Sequence, residues 1–481
     1  MTIISTLFKR HWMTFITGIL LFLTFPLLAK PINVVQEAVQ SHTGKTVRWE
    51  QDQAAMAQTE QDVRNLLHEP LTINAAVQIA LLNNRSLQAT FEEIGLSAAE
   101  LKDAGTIPNP SFNLSIKFPD KAPSGTDLEF GTAIDFLRLL MLPLRKRVAK
   151  EQLEATTLRV ADETLELVAQ VKSAFYSVQA SQQLLGRLKL ISEANSVALE
   201  LAQRQHEAGN IADLALAQQL TAYSRSRVEV AQTGAEIRQQ REKLNRLLGL
   251  WGSETNWELT GSLPDVPGSD LSVSGLERLA ISQRLDLQAQ YLGVTSLVRA
   301  LGLTKNFRFI GALNFGVDSE RGSNSQTITG PTFVLELPIF NQGQAAISRS
   351  EAALRRQQRK FEALAIDVRS RVRELRDQLS SQRELARFYR DELLPNQRQI
   401  LSQILLNYNA MQVSPLELFT AKTEEAQIER EYIGAVRDYW IARAKLERAV
   451  GGSLRPLITG VSRKITAPQS PGTPARSVSN P

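Results

Sequence analysis

Cysteine is absent from the 481 residues. Disulfides, thiolate metal sites, cysteine nucleophiles and lipidation of an N-terminal Cys are thereby excluded. Histidine is almost as scarce, with only His11, His42, His68 and His206. Four scattered imidazoles do not make a His-built metal or catalytic centre, so no metal ligands and no catalytic residues are assigned. A Walker-type phosphate loop, HExxH and GxSxG are all missing. The chain therefore reads as a non-enzyme without a cofactor. Long apolar runs are also lacking. Only Trp12–Leu28 approaches the ~20 residues that cross a bilayer as a helix, which excludes a polytopic helical membrane protein.

Excess charge of one sign is confined to the ends. The formal net charge is +5. Residues 1–29 carry Lys9 and Arg10 without an acid, and residues 452–481 carry Arg455, Arg463, Lys464 and Arg476 without an acid. Residues 30–451 are close to neutral, and nucleic acid is not an expected partner. Lys9 and Arg10 ahead of the apolar run, with Leu27-Leu28-Ala29 behind it, read as an export signal over 1–29. An uncleaved single anchor is the alternative. Residues 30–70 are expected to be extended, and residues 452–481, rich in Pro and Ser, to be disordered.

What is present is a duplication. "LTINAAVQIALLNNRSLQAT" from Leu71 and "LSVSGLERLAISQRLDLQAQ" from Leu271 align at a constant offset of 200 through Ala80, Leu87, Gln88 and Ala89. Lys243, Leu244, Arg246 and Gly249 repeat as Lys445, Leu446, Arg448 and Gly451 at an offset of 202. The two copies, 71–250 and 271–451, flank a connecting segment, 251–270.

Each copy reads as helix, two strands, long helix, short break, helix. Proline is missing from residue 144 to residue 263, and an interior proline would cost a helix ~3 kcal/mol. Leu158, Ala161, Leu165, Val168, Lys172 and Phe175 step by three and four residues, a coiled-coil seam broken only by Lys172. Phe361, Leu364, Val368, Val372, Leu375 and Leu379 repeat that seam. Helices are expected at about 149–205, 213–248, 345–407 and 415–450.

Strands are expected at about 111–118, 126–136, 307–318 and 327–339. Phe112, Leu114, Phe118, Phe130, Phe136, Phe307, Phe309 and Phe315 alternate with polar residues in the first three. One apolar and one polar face over ~9–11 residues fits strands of a membrane barrel. Two half-buried hairpins on a soluble domain would show the same pattern. Four strands cannot close a barrel, and an open edge cannot face lipid. Strands that span a membrane here must be pooled from several copies.

The run "LTINAAVQIALLNN" into "ELKDAGTIPNPSFNLS", the joint "LPIFNQGQAAISRSEAALRRQ" and the final "YNAMQVSPLELFTAKTEEAQIEREYIGAVRDYWIARAKLERAVG" resemble the TolC family of outer-membrane efflux and secretion channels. The likeness covers roughly Leu71 to Gly452. It implies a mainly helical protomer with a membrane β-barrel portion: a homotrimer with a twelve-stranded barrel in outer-membrane lipid, a periplasmic helical tunnel and an equatorial collar. It also implies an exit duct that receives cargo from a periplasmic adaptor and an inner-membrane transporter of the resistance-nodulation-division or ABC type. "AVGGSLRP" resembles members that serve cation-efflux pumps. A periplasmic coiled-coil adaptor or scaffold is the rival reading, but it should show one helical hairpin between β-rich halves.

The resemblance also implies sites. Gly209 and Asn210, and Met411 and Gln412, fall at the two adaptor-docking tips. The family favours glycine in both turns, and Met411 departs from that. Glu417 matches an acidic constriction position, while the next such position is Thr420. Tyr408 matches a tip residue used for gate hydrogen bonds. His206 reads as a surface residue, and Trp251 and Trp257 as packing in the collar. Arg145–Arg147 is read as marking the periplasmic end of a strand.

Overall fold

A computed structural model describes residues 32–118, 120, 126–259, 261–268, 275–322 and 326–452. The export signal and the tail from Ser453 lie outside the described residues. The segment expected to be extended holds two helices instead, α1 (Ile32–Thr43) and α2 (Gln53–Leu67). Asp52 caps α2 by accepting from the Ala55 N–H at 2.7 Å, and Val35, Val39 and Val63 are buried. Trp49 donates to Glu92 at 2.9 Å, and Arg85 pairs with Glu50 at 2.6 Å. An apolar stripe on each short helix is what the composition of the segment concealed.

The first copy continues with α3 (Ile73–Asn83), α4 (Arg85–Ala104), β1 (Ser111–Lys117), β2 (Asp127–Asp135), α5 (Phe136–Glu207) and α6 (Asp213–Leu248). The second has α7 (Leu276–Gln283), α8 (Leu285–Asn306), β3 (Leu313–Arg321), β4 (Thr327–Leu335), α9 (Gln344–Phe388), α10 (Leu394–Asn409) and α11 (Pro415–Val450). A single π turn, Tyr389–Leu393, interrupts the helix expected over 345–407. The turn ends just ahead of Pro395, which opens the next helix and has no N–H to give to the ladder.

The helix expected from 149 starts at Phe136, because the Asp135 carboxylate accepts from the Arg138 N–H at 2.8 Å and ends β2 there. Phe136 is therefore helical rather than the end of a strand, and Arg145–Arg147 lies within the helix. Phe118 falls just past β1. The third strand begins six residues later than expected. Phe307 accepts from the Ile310 N–H in a turn, so Phe307 and Phe309 precede β3.

The described chain divides into two compact units, and each draws on both copies. The first comprises residues up to Val168, Asn245–Glu258 and Leu285–Leu364. Its helical core is built on Leu71, Ile79, Leu81, Phe91, Ile94 and Leu248, all fully buried. It also holds the whole sheet, an antiparallel meander β1-β2-β3-β4. The middle pair joins the two copies, with Gly131 opposite Asp318. Asp318 accepts from Thr332, and a methyl group at Gly131 would collide with its carboxylate. The second unit comprises Ala169–Leu244, Leu259–Arg284 and the residues from Ala365 on. Val171, Val178, Leu244, Leu375, Tyr439 and Leu446 are buried there. Lys172, which breaks the apolar seam, pairs with Glu447 at 2.8 Å.

Candidate functional site

Two helical hairpins of the second unit end in turns of one design. At the first, Gly209 sits at φ +75°. Its N–H donates to the His206 carbonyl and the Asn210 N–H to the Gln205 carbonyl, both at 2.8 Å. At the second, Met411 sits at φ +57°. Its N–H donates to Tyr408 at 2.9 Å, and Gln412 donates to Asn407 at 2.8 Å. Such a closure requires a left-handed residue after the helix. Met411 is the one non-glycine residue with positive φ among the described residues, and its side chain is 95% exposed.

The flanks of the turns differ. His206 and Asp213 bridge the first at 2.6 Å. At the second, Ser414 caps α11 by accepting from the Glu417 N–H at 3.3 Å, and Pro415 opens the helix. The Glu417 carboxylate is exposed and has no ion pair among the described residues. With Gln412, Ser414, Thr420 and Glu424 it lines an open groove beside Ile404. Tyr408 is half-buried.

A polar clamp further along these helices was not foreseen from the sequence. Buried Gln397 of α10 donates to the Ala421 carbonyl of α11 at 3.1 Å. Arg398 reaches Glu425 at 3.6 Å and Glu429 at 3.5 Å. Arg187 of α5 meets Glu429 at 3.4 Å. Both carboxylates are largely withdrawn from water, so losing their cations would cost more than losing a surface pair. At the π turn, a hydrogen bond from Arg390, aided by Arg387, holds the Asp391 carboxyl below its usual range. Tyr389 donates to Glu431 at 3.1 Å, and burial followed by that bond pushes its phenol up. In the sequence these residues look like any solvated helix face. The single available signal was Pro395 beside the "YRDELL" stretch.

In the sheet, the register puts Phe112, Leu114, Phe130 and Phe315 on one face, all exposed. Phe333 and Leu335 of β4 join them. The opposite face carries Asp127, Glu129, Asp135, Asp318 and Glu320 against Lys117. The outer edges of β1 and β4 are unpaired in the single protomer. Of the collar candidates, Trp257 is 4% exposed and donates to Asn245 at 2.7 Å, whereas Trp251 is 79% exposed. No helix among the described residues is long and apolar enough to cross a membrane, and none of them form a cluster of three or more His, Cys, Asp or Glu suited to a metal ion.

Residues 76–250 match the family model described as outer membrane efflux protein. That match spans less than half of the chain, and over it the chain is similar to this family. Over 399 residues it is 24% identical to the cobalt-zinc-cadmium resistance protein CzcC of Cupriavidus metallidurans, across 79% of this chain and 90% of that one. Its fold is similar to that of the Campylobacter jejuni CmeC outer membrane channel, with a TM-score of 0.69 and 13% identity over 79% of this chain and 85% of that one. It is also similar to CusC, at a TM-score of 0.65 and 16% identity over 79% of this chain and 92% of that one. Family members are channels, not enzymes. The family model is described as an outer membrane efflux protein, and CmeC as an outer membrane channel. The adaptor reading gives way to the family match.

Proposed function

We propose that this chain is an outer-membrane exit duct, and that three copies pool their sheets into a twelve-stranded barrel above a helical tunnel. The observation that carries this reading is a four-stranded sheet with two unpaired edges and an exposed apolar face. Unpaired strand edges are prohibitive in lipid, and joining β4 of one copy to β1 of the next removes them all. Protein purified in detergent should have the mass of three chains by light scattering and show a threefold cylinder in negative stain. A stable monomer would end the proposal.

The duct serves a tripartite pump and receives cargo from a periplasmic adaptor docked at the tips around Gly209, Asn210, Met411 and Gln412. The transporter is of the resistance-nodulation-division type, and the cargo is divalent metal cations. Support comes from the name of CzcC and from the acidic polar face of the sheet, which would line the barrel. Glu417 forms a ring of three carboxylates at the constriction, with Tyr408 beside it. Glu417→Lys should lower the cation preference in planar-bilayer conductance. An unchanged reversal potential removes Glu417 from that role.

A further inference from the structure

The joints where strands hand over to helices carry a charge pattern that conduction does not use. β2 ends at Asp135, and α5 opens with "FLRLLMLPLRKRVAK". Phe136, Leu140 and Leu144 are spaced four residues apart on one face of α5, and all three are exposed. Arg145, Lys146, Arg147 and Lys150 follow, and no acid occurs from Phe136 to Lys150. Lys146 and Arg147 are exposed. Neighbouring cations of the same unit are neutralised: Arg299 pairs with Glu151, and Lys305 with Glu351 at 2.7 Å. Arg145, Lys146 and Arg147 have no ion pair among the described residues.

A second apolar group sits at the other joints. Phe340 is 94% exposed and Ile339 is exposed beside it. Phe309 is exposed with the Arg308 guanidinium 4.2 Å above its ring. These residues lie at the end of the sheet where β1 and β3 begin, opposite the end where Lys117 pairs with Asp127 and Arg321 with Thr327. An apolar stripe followed by unneutralised cations is the arrangement by which a helix seats in the headgroup region of a membrane. Lys and Arg lay their methylenes along the apolar boundary and lift the charge to the phosphates. Three adjacent cations repel one another in water, and an anionic surface relieves that repulsion.

We propose that Arg145, Lys146 and Arg147 form a lipid-reading band that selects anionic phospholipid headgroups in the periplasmic leaflet. The inference rests on the barrel reading above, which places this end of the sheet at that leaflet. Charge complementarity and continuity with the exposed apolar face of the strands favour lipid as the occupant.

The test uses the full chain in nonionic detergent, offered phosphatidylglycerol and phosphatidylcholine in equal amounts, with retained lipid counted by native mass spectrometry. Phosphatidylglycerol should be retained preferentially, and added salt should weaken the preference. Each cation near an anionic surface is worth about fivefold in binding. The triple exchange R145Q/K146Q/R147Q should therefore reduce retention by roughly 100-fold. The charge-preserving pair R145K/R147K should keep it. If the triple variant does not assemble, Lys146→Gln and Arg147→Gln alone should each show about the fivefold loss. Equal retention of both lipids overturns the proposal, as does an unchanged preference in the variants. Displacement of phosphatidylglycerol by inorganic phosphate at matched ionic strength overturns it too, since the site would then read a free anion. Flotation with pure phosphatidylcholine vesicles separates the two readings. Wild-type protein that fails to float refutes the barrel, whereas floating protein without lipid preference refutes only the band.

Discussion

The two helical hairpins end in the same turn with different residues, Gly209 in one and Met411 in the other. The hydrogen bonds match one for one, and the backbone is left-handed in both. A side chain in that conformation costs ~1–2 kcal/mol, which glycine avoids. The second tip therefore holds an exposed methionine against a local preference that the first tip satisfies. An energetic concession of this kind at an exposed turn fits a surface that touches something else, whereas the first tip is closed by its own His206–Asp213 contact.

A second pair of sites, where each copy's last helix meets its own first helix, differs in the opposite sense. Asn83 donates to the Leu248 and Gly249 carbonyls at 3.1 and 2.9 Å, and Asn84 donates to Leu247 at 2.9 Å. At the positions 200 residues on stand Gln283 and Arg284. Arg284 donates to Ala449 at 3.3 Å, and Gly451 lies against Gln283. Both joints place a glycine at positive φ, Gly249 at +72° and Gly451 at +92°. A Cβ at Gly249 would run into the Asn83 carbonyl, while at Gly451 the closest approach would be 3.2 Å.

The sharpest way to break the comparison is to put alanine at both glycines. Gly249→Ala should cost about 3 kcal/mol, from the unfavourable φ plus a backbone collision. Gly451→Ala should cost about half that, from the φ and a milder backbone contact at 3.2 Å. Denaturant melts followed by circular dichroism check both, and equal losses would mean that the two joints are packed alike.

Next in size is an alkaline effect that separates the uninterrupted helix from the interrupted one. Burial, aided by Glu447, pushes Tyr176 of α5 up to about 12. Its folded pKa lies above its unfolded value near 10. Its contribution is therefore complete below pH 10 and is lost as pH rises through 12, amounting to about 2 kcal/mol. Thermal melts from pH 8 to 12 should show the fall, and Tyr176→Phe should flatten it. Tyr389, at the π turn of the second copy and far more exposed, should contribute a smaller slope.

The smallest expected effect is at the tips. Met411→Gly should stabilise the hairpin by about 1 kcal/mol, and Gly209→Met should destabilise its counterpart by a similar amount. If adaptor binding weakens in Met411→Gly while stability rises, the methionine is kept for contact. If binding is unchanged, the tip comparison concerns backbone strain only.

Much of this was legible in the residues. The constant offset between Leu71 and Leu271, the two seams and the period-2 alternation around Phe112 and Phe130 determined the duplicated plan, because repeats and periodicities are local properties. Glycine at 209 and methionine at 411 were visible as a departure before any turn was seen. Tertiary structure alone decided which strand edges meet, that Gly131 makes room for Asp318, and that Lys172 finds Glu447 rather than water. It also decided where β3 begins and that Asp135 ends a strand by capping a helix. The clamp of Gln397, Arg398, Glu425 and Glu429 belongs with these. The Asp135 cap and the Phe307–Ile310 turn are local closures that override a strand pattern, whereas the other contacts join residues distant in the chain, and polar side chains do not announce their partners through spacing.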